Sequence, residues 1–536
     1  PCSCSGVVLS RGGGLVLCRA AVFTPCLRAG PAAWAQPRAL PGGALQPGLS
    51  VLVLQPGGTG LDAPAAPRSP GGGGLLRHDA RLLALGGGGT FRQALAQAFG
   101  GGERWRFGGE AAGDGGGALH WFAWLRVPGG GAPGGGWTGR ASAGGGRKGE
   151  GLLACGSPWG GLCPDLFLNT LSRGVVSNLA GEENALVLGG ARCLPGTEGG
   201  GAWGGSPTGP RLVAVIAGGV CWKGVEWVGL TLGGSLDAIL GSSAGARGGA
   251  GVVVPPMPPV RGGAVQAGAG QDPLGWGGLV ECGAAWGSGV LLAPRLLLTC
   301  RHVVEGGAPL RVTLAPSPGR GGRLRVPQTL AAGGGGGRLV FATEESSGGD
   351  VAVVELEESV PGGGPPRPAD TFLPGEGGSV IGFGALGRAC GGGVTSGVLS
   401  AVVAVGGGPI MLQTTCAVHG GGSGGPLVSS RSGHRGGKLR GGSPTGWGCP
   451  MGVPRPDPVR CPSLGGLPGI VASNTRDTGG GATYPHLNFC VPIGGVQPPV
   501  TLYCRTGQGG AFATLNRAGE RVRGGWRLQP GPPSKL

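Results

Sequence analysis

The sequence Ala-Val-His-Gly-Gly-Gly-Ser-Gly-Gly-Pro-Leu, residues 417–427, decides the fold and the chemistry that we expect of this chain. Ser423 lies in a glycine-rich turn, and Pro426 stiffens its exit. Glycine permits the backbone angles of a tight turn, so a serine hydroxyl can project while neighbouring N–H groups converge on one point. The stretch predicts a serine nucleophile, although the many Gly-Gly runs of this chain would also produce such a motif by chance.

Two upstream segments supply the partners that a nucleophilic serine needs. His302 ends a strand–turn–strand pattern at 290–303, and Asp350 directly precedes the β-branched run Val-Ala-Val-Val-Glu-Leu. In a Ser-His-Asp triad the histidine takes the serine proton and the aspartate fixes the imidazole tautomer. The order His302, Asp350, Ser423 therefore indicates acyl-transfer chemistry, with the backbone N–H groups of Gly421 and Ser423 as the oxyanion hole.

The segments around these three residues resemble the chymotrypsin-fold serine proteases, and within them the HtrA/Deg type. Residues 469–474 (Gly-Ile-Val-Ala-Ser-Asn) and 487–493 (Leu-Asn-Phe-Cys-Val-Pro-Ile) are similar to the last strands of that type. The resemblance covers 280–505 and extends to the peroxisomal processing proteases. It implies an all-β fold with a chymotrypsin-like double β-barrel, and a serine endopeptidase activity.

The same resemblance implies a substrate class and a location. It implies removal of N-terminal leader peptides from imported peroxisomal enzymes, including those of fatty-acid β-oxidation, with cleavage at a cysteine, and it implies self-processing and self-association. No cysteine occurs between Cys26 and Cys155, so a self-cleavage site is not recognisable. The final Ser534, Lys535 and Leu536 form a signal that a peroxisomal import receptor recognises at a free chain end. We therefore expect the peroxisomal matrix as the location.

Specificity is predicted from two segments near the serine. In this fold the residue six positions before the serine usually lies at the base of the specificity pocket, and here it is Ala417. Its side chain has no charge to pair with a basic substrate residue, so we expect a small or uncharged P1 side chain. Ser473, Asn474 and Thr475 are expected to bind the substrate as an added strand. We expect no metal and no organic cofactor.

The first half of the chain repeats the second half in outline. Ser-Gly-Val at 5–7 matches Ser-Gly-Val at 288–290, and Cys193 matches Cys416 at an offset of 223 residues (416 − 193). This alignment predicts a second barrel pair that is homologous to the protease domain.

The catalytic positions of this first copy are vacated. Ala20, Trp121 and Gly200 occupy the places of the triad histidine, aspartate and serine in the alignment. Alanine has no base and glycine has no hydroxyl, so the first copy cannot perform the chemistry. We predict a degenerate β-barrel domain that precedes the active one.

The domain plan follows from these matches and from composition. The predicted parts are a degenerate trypsin-like domain at 1–240, a linker at 241–278, a protease domain at 279–505 and a C-terminal tail at 506–536. Long Gly/Pro-rich loops are predicted at 54–80, 128–149 and 432–467, and a short helix and turn at 97–108. Strands of the protease domain are predicted at 279–284, 288–293, 296–300, 310–314, 338–342, 351–356, 378–383, 397–404 and 410–414.

Composition sets limits on other functions. The chain has 131 Gly and 48 Pro in 536 residues, yet apolar islands of strand length recur between the glycine runs. The formal charge of +16 comes from scattered Lys and Arg without a basic block. No apolar run reaches the length of a membrane span. The 16 cysteines are not densely spaced, and we expect buried free thiols in a reducing compartment.

Two other functions stay open at this point. One is a catalytically silent pseudo-protease module that holds extended peptides, against which the intact triad residues argue. The other is a basic nucleic-acid binder, which the charge signals weakly because no basic and aromatic residues are interleaved. We expect protein substrates as partners and neither nucleic acid nor a membrane.

Overall fold

A computed structural model describes most of the chain. The described residues are 2–10, 14–36, 39–40, 44–56, 75–100, 105–108, 117–128, 146–205, 210–224, 226–243, 273–314, 337–347, 349–360, 367–369, 372–430, 466–476, 483–517 and 519–526. The predicted linker lies largely outside them, as do the central parts of the three predicted loops and the terminal Ser534, Lys535 and Leu536. The chain divides into two compact units, residues 1–265 and 266–536.

The first unit is built of antiparallel strands with three α-helices among its described residues. The strands are β1 (Gly6–Ser10), β2 (Leu15–Arg19), β3 (Ala39–Leu40), β4 (Val51–Pro56), β5 (Leu75–Gly87), β6 (Trp105–Phe107), β7 (Trp121–Arg126), β8 (Gly151–Gly156), β9 (Thr170–Ala180), β10 (Leu186–Gly189), β11 (Gly201–Gly204), β12 (Arg211–Lys223) and β13 (Glu226–Ser235). The helices are α1 (Gly89–Phe99), α2 (Pro164–Phe167) and α3 (Leu236–Ser243), and 3-10 turns occupy Ala20–Cys26, Gly30–Ala35 and Glu182–Asn184.

These strands form two sheets. The first has the order β1-β2-β7-β5-β3, with β4 paired to β5. The second has the order β13-β10-β9-β8-β11-β12 and closes on itself because β12 also pairs with β13, while β6 adds to β12. Closure removes unpaired strand edges, and alternate side chains fill the interior.

The second unit, like the first, is built of antiparallel strands that form two sheets. Its strands are β14 (Gly277–Cys282), β15 (Ala285–Ala293), β16 (Leu296–Thr299), β17 (Leu310–Leu314), β18 (Gly337–Ala342), β19 (Ala352–Leu356), β20 (Gly377–Gly382), β21 (Gly393–Val405), β22 (Gly408–Thr414), β23 (Pro426–Ser429), β24 (Gly469–Arg476) and β25 (Thr483–Pro492). Its helices are α4 (Arg301–Val304), α5 (Gly387–Cys390), α6 (Ile493–Thr506) and α7 (Glu520–Trp526), with 3-10 turns at Pro273–Trp276, Glu345–Ser347 and Gly509–Asn516.

Both sheets of the second unit close. One barrel has the order β14-β15-β16-β19-β18-β17, and the other has the order β22-β21-β20-β23-β24-β25, closed by the pairing of β22 with β25. The second barrel repeats the strand order of the closed barrel in the first unit, with β20 in the place of β8. The predicted double β-barrel is therefore confirmed, and a barrel with the same strand order precedes it in the chain.

The hairpin β15–β16 shows why the sequence folds this way. Pro294 suits the first central position of a tight turn because its φ is fixed, and the turn joins two apolar runs. Every residue of Leu296–Thr299 is buried. Strand β19 pairs along β16 with Thr299 opposite Ala352 as the last pair. The predicted strands between 279 and 414 all overlap observed ones.

Besides the loop predicted at 54–80, whose two ends lie in the paired strands β4 and β5, three predictions about elements were wrong. The helix expected at 97–108 spans Gly89–Phe99, because the helix-forming run begins earlier and Gly100 ends it. Leu467, placed in the predicted loop at 432–467, is fully buried and bridges to Pro368.

The stretch predicted as a C-terminal tail is the third case, since the 3-10 turn Gly509–Asn516 packs on β18 of the first barrel and α7 packs on β21 and β22 of the second. Phe512 is fully buried and stacks on Phe341 with ring centroids 5.4 Å apart. Burying one such side chain contributes roughly 1.5–3 kcal/mol. No helix among the described residues has the length and apolar character to cross a membrane.

A buried histidine makes the first unit sensitive to acid. Burial, with the charge of Arg92 as a smaller cause, lowers the pKa of His120 to about 4, and its Nε2 has no hydrogen-bond partner among the described residues. Because the unfolded chain binds this proton more readily, stability is complete above the ordinary histidine pKa and falls as the pH drops toward 4. We expect wild type to lose about 3 kcal/mol more than His120→Phe between pH 7 and pH 4 in urea unfolding. Equal losses in both proteins would contradict this role of His120.

Candidate active site

The end of one strand ladder brings His302 and Asp350 together. The last residue pair of β16 and β19 is Thr299 with Ala352. Beyond this pair both segments leave the barrel at the same edge: the segment after β16 enters α4, and the segment before β19 contains Asp350. The Nδ1 atom of His302 lies 2.5 Å from Oδ2 of Asp350, and the backbone N–H of His302 donates to Oδ1 at 3.1 Å. The carboxylate holds the ring in the tautomer with hydrogen on Nδ1, which leaves the Nε2 lone pair available.

The carbonyl of Val471 ties the segment before His302 to the serine loop. It accepts the thiol of Cys300 at 3.1 Å and the N–H of Gly424 at 2.7 Å. A Cβ added to Gly287 would lie 2.5 Å from Cγ2 of Val303 and 3.0 Å from the carbonyl oxygen of Ser423. Val303, the residue after the predicted base, and the backbone of the predicted nucleophile therefore both lie close to Gly287 of β15.

The two N–H groups predicted as the oxyanion hole are open. Neither the N–H of Gly421 nor that of Ser423 has an acceptor among the described residues, whereas the N–H of Gly422 donates to the carbonyl of His419 at 2.7 Å. Gly421 has a φ of +91°, which favours glycine. Open N–H donors next to a serine can stabilise a tetrahedral oxyanion.

Ser288 supports this loop, although no sequence pattern had indicated it. Its hydroxyl donates to the carbonyl of Gly421 at 2.7 Å and accepts the N–H of Phe383 at 2.8 Å. Its backbone N–H donates to the carbonyl of Ser423 at 2.7 Å. The Ser-Gly-Val that both halves share could have pointed to this role of Ser288. The matching Ser5 of the first unit makes the same three hydrogen bonds.

The hydroxyl of Ser423 has no hydrogen bond to any described residue. Catalytic hydrogen bonds are often longer in free enzymes and tighten in the substrate complex. The side chain of His302 is 44% exposed and that of Asp350 is 23% exposed, so solvent and substrate can reach the imidazole.

Gly421 provides a direct test of the loop. A Cβ at this position would lie 1.9 Å from a ring atom of Trp286, and the positive φ adds strain. We expect Gly421→Ala to lower kcat/KM by about 10²–10³-fold, as loss of an oxyanion donor does. Gly407→Ala is the matched control, since Gly407 has a φ of +84° and open space around it. Equal activity of the two variants in a peptide-cleavage assay would contradict the assignment.

The thiols near the site are neutral structural groups. Burial, followed by the charge of Asp350, raises the pKa of Cys300 well above its usual range, and burial raises the pKa of Cys416 to about 11. All cysteines among the described residues are free thiols. A protonated buried thiol is a poor nucleophile, so neither competes with Ser423.

The segment around Ala417, which is predicted to line the specificity pocket, accepts hydrogen bonds from uncharged side chains. Ala417 is buried, and its carbonyl accepts the hydroxyl of Thr395 at 2.7 Å. The amide of Asn474 donates to the carbonyl of Val418 at 2.9 Å, and that of Asn488 donates to the carbonyl of Cys416 at 2.6 Å. The side chain of Asn474 is thus bonded to the segment that contains Ala417, which was not expected.

The strand expected to bind substrate has an open edge. Strand β24 pairs with β23 only at Gly469 and Ile470, while its later residues pair with β25 alone among the described strands. Ser473 is exposed at this edge, and the side chain of Thr475 lies outside the described residues. The backbone of this segment, rather than the amide of Asn474, is available to an extended peptide.

The first unit contains the same loop without the chemistry. The N–H of Ser5 donates to the carbonyl of Glu198 at 2.9 Å, just as the N–H of Ser288 donates to that of Ser423. Glu198, and not Gly200, therefore occupies the serine position. The alignment was two residues out because this loop is two residues shorter than the one that ends at Ser423.

Glu198 also fills the oxyanion position of its own unit. The N–H of Gly196 donates to Oε2 of Glu198 at 2.7 Å, and Gly196 has a φ of +92°, close to that of Gly421. An N–H group that already binds a carboxylate cannot hold a substrate oxyanion. The first unit is inactive for this reason as well as for the missing base.

The remaining two positions follow from strand register. Counted from the bulge that both hairpins share, Ala21 rather than Ala20 matches His302. Trp121 matches Asp350, as expected, because β7 pairs with β2 in the register that β19 has with β16. The side chain of Ala21 cannot accept a proton, and that of Trp121 cannot orient a histidine as a carboxylate does.

Known proteins agree with this assignment of fold and chemistry. The family model of the trypsin-like peptidase domain matches residues 287–435. A solved serine endoprotease from Yersinia pestis is 18% identical with a TM-score of 0.28, covering 44% of this chain and 65% of that chain, a likeness too weak to support an argument.

Two curated relatives match almost the full length. A mouse peroxisomal leader peptide-processing protease is 42% identical over 590 residues, covering 98% of this chain and 92% of the relative. The human protein of the same name is 40% identical over 601 residues, covering 100% of this chain and 95% of the relative. This chain therefore belongs to the family of peroxisomal leader peptide-processing proteases and is a serine endopeptidase with a trypsin-like domain.

Proposed function

We propose that this protease removes N-terminal leader peptides from proteins in the peroxisomal matrix and that Ser423, His302 and Asp350 are its catalytic triad. The observation that carries the proposal is the pairing of His302 with Asp350 beside a serine loop with two open N–H groups. The substrate class is supported by the name of the mouse and human relatives.

In the proposed reaction Ser423 is the nucleophile. Its Oγ attacks the scissile carbonyl while Nε2 of His302 takes the hydroxyl proton, and the N–H groups of Gly421 and Ser423 stabilise the oxyanion. Collapse of this intermediate breaks the peptide bond, and Nε2 gives its proton to the leaving amine. A water molecule then repeats the sequence on the acyl-enzyme and releases the acid product.

Asp350 acts through the imidazole. It accepts the Nδ1–H of His302 and compensates the positive charge that the ring carries in the transition state. Its second oxygen holds the backbone N–H of His302, so the carboxylate is fixed relative to the ring. The triad is thereby orientated before substrate binds.

The proposed P1 preference is for a small or uncharged side chain. Ala417 lies in a wall held by the uncharged Thr395, Asn474 and Asn488. A neutral cysteine at the end of a leader fits such a wall, whereas an arginine or lysine would find no charge partner in it. The leader itself is proposed to pair with the open edge of β24, and imported enzymes of fatty-acid β-oxidation and the chain itself are the proposed substrates.

Import is proposed to depend on Ser534, Lys535 and Leu536 as a recognition signal. Imaging in cells tests this directly, since one residue appended after Leu536 is expected to leave the protein outside peroxisomes. Unchanged peroxisomal import of the extended protein would refute this part of the proposal.

Cleavage of a leader-bearing peroxisomal precursor, measured by intact mass, tests the proposed function. Wild-type protein is incubated with the precursor under reducing conditions, in parallel with Ser423→Ala. We expect loss of one defined N-terminal leader with wild type alone. The mass of the product gives the cut site, and replacing its P1 residue by arginine is expected to abolish the cut.

An intact precursor after incubation with folded wild-type protein would contradict the proposal. In that case an extended peptide that nevertheless binds would favour the silent peptide-binding module.

A further inference from the structure

A third donor group lies behind the His302–Asp350 pair. The Sγ atom of Cys300, a ring nitrogen of His302 and a carboxylate oxygen of Asp350 all lie within 4.8 Å of one another. Proteolysis by serine uses two of these groups and gives the thiol no part. Its position among the catalytic side chains therefore calls for another explanation.

The three donors form a set that suits zinc. Thiolate, imidazole and carboxylate are the three ligand types that Zn²⁺ binds in proteins, with bonds of about 2.0–2.3 Å. Tetrahedral ligands at such bond lengths lie about 3.3–3.8 Å apart, so the three atoms need shifts of about 1 Å. Magnesium and calcium require oxygen ligands and would not use the thiol.

The surroundings favour entry of an ion from one side only. Cys300 is fully buried, and its thiol already points at the carbonyl of Val471, 3.1 Å away. The side chains of His302 and Asp350 are partly exposed. An ion would enter past the imidazole and reach the thiol last. The coordination position of the ion that faces solvent would then be left for water.

We propose that Cys300, His302 and Asp350 form a zinc site through which the ion reversibly inhibits the protease. The inhibitory part rests on the proposed triad, whereas the binding part does not. Because zinc binding at Nδ1 and catalysis at Nε2 require different tautomers of the same imidazole, an enzyme molecule either binds the ion or cleaves peptide.

Inhibition follows from the tautomer that zinc imposes. When Nδ1 of His302 binds the ion, the ring hydrogen moves to Nε2, so Nε2 can no longer take the proton of Ser423. The thiol of Cys300 releases its proton to solvent as it becomes a ligand. The two negative ligands and the ion sum to zero charge, which keeps a buried site from carrying a net charge.

The test measures binding and inhibition separately. Zinc at buffered free concentrations is titrated into a peptide-cleavage assay with wild type, Cys300→Ala and Cys300→Ser, each compared with its own zinc-free rate. Cys416→Ala is the control, since Cys416 is equally buried but lies outside the cluster. Binding is measured on Ser423→Ala protein with a chromophoric chelator, with and without Cys300→Ser.

We expect half-maximal inhibition to require at least about tenfold more zinc in both Cys300 variants than in wild type and Cys416→Ala. We expect the chelator assay to show one site fewer in Ser423→Ala/Cys300→Ser, and magnesium or calcium to have no effect. Equal zinc sensitivity of wild type and both Cys300 variants, or equal zinc binding, would overturn the proposal. A metal-free wild type that never cleaves peptide would instead refute the proposed function, while the binding assay would still decide the site.

Discussion

Ser423→Ala is expected to lower kcat by about 10⁶-fold while the protein keeps its fold and its affinity for an extended peptide. The hydroxyl has no hydrogen bond to a described residue, so its loss leaves no broken contact in the free protein. The chemistry disappears because the other nucleophile that the described residues place near the imidazole, the thiol of Cys300, is neutral and buried. Single-turnover cleavage followed by intact mass measures the loss.

Ser400→Ala is the control for this variant. Ser400 is exposed on β21, outside the segments that carry the three triad residues, and its replacement is expected to leave kcat and KM unchanged. Retention of more than a hundredth of wild-type kcat by Ser423→Ala would show that a different group attacks the substrate.

Asp350→Asn is expected to lower kcat by about 10⁴-fold. The asparagine oxygen can still accept the backbone N–H of His302, which places the new NH₂ group against Nδ1. Nδ1 must then accept a hydrogen bond, so the ring hydrogen moves to Nε2 and the base is lost. The thermal midpoint should change little because the side chains have the same shape.

Glu345→Gln is the matched control for loss of one negative charge. Glu345 lies in the 3-10 turn just before Asp350 and is exposed, so we expect wild-type kinetics. If Asp350→Asn stayed within tenfold of wild type, the tautomer argument would be wrong even if Ser423 proved to be the nucleophile.

The pairing of His302 with Asp350 and the strands of the second unit could be predicted from sequence because each signal is local. A strand that ends just before His302, a strand that begins just after Asp350 and glycines around Ser423 all lie within a few residues of the groups they position. The ladder between β16 and β19 then requires the first two to meet. The apolar runs between glycine-rich stretches were sufficient to predict most strands of the second unit.

Contacts between distant segments could not be predicted. The bond from Ser288 to Gly421, the contact of Trp286 with the same glycine and the bond from the thiol of Cys300 to Val471 all depend on how the two barrels of the second unit pack. The burial of Phe512 likewise needs a barrel end to cover, which no local pattern shows.

The alignment of the two halves failed for a similar reason. A constant offset from Cys193 placed Gly200 at the serine position, but hydrogen bonds rather than spacing define equivalence. The hydrogen bond from Ser5 places Glu198 at the serine position. It also shows that the loop before Glu198 has fewer glycines than the loop before Ser423. Loop length between matched strands is free to change while the ladder stays fixed.

Covalent labelling with a fluorophosphonate, followed by peptide mapping, tests the proposed active site most directly. The reagent requires a serine made nucleophilic by its base and an oxyanion hole that accepts the phosphonyl oxygen, and its fluoride leaves as the Oγ–P bond forms. We expect wild-type protein to carry a single adduct on Ser423, and Ser423→Ala to carry none. Folded wild-type protein without an adduct on Ser423, or with its adduct on another residue, would contradict the assignment of this site as the protease centre.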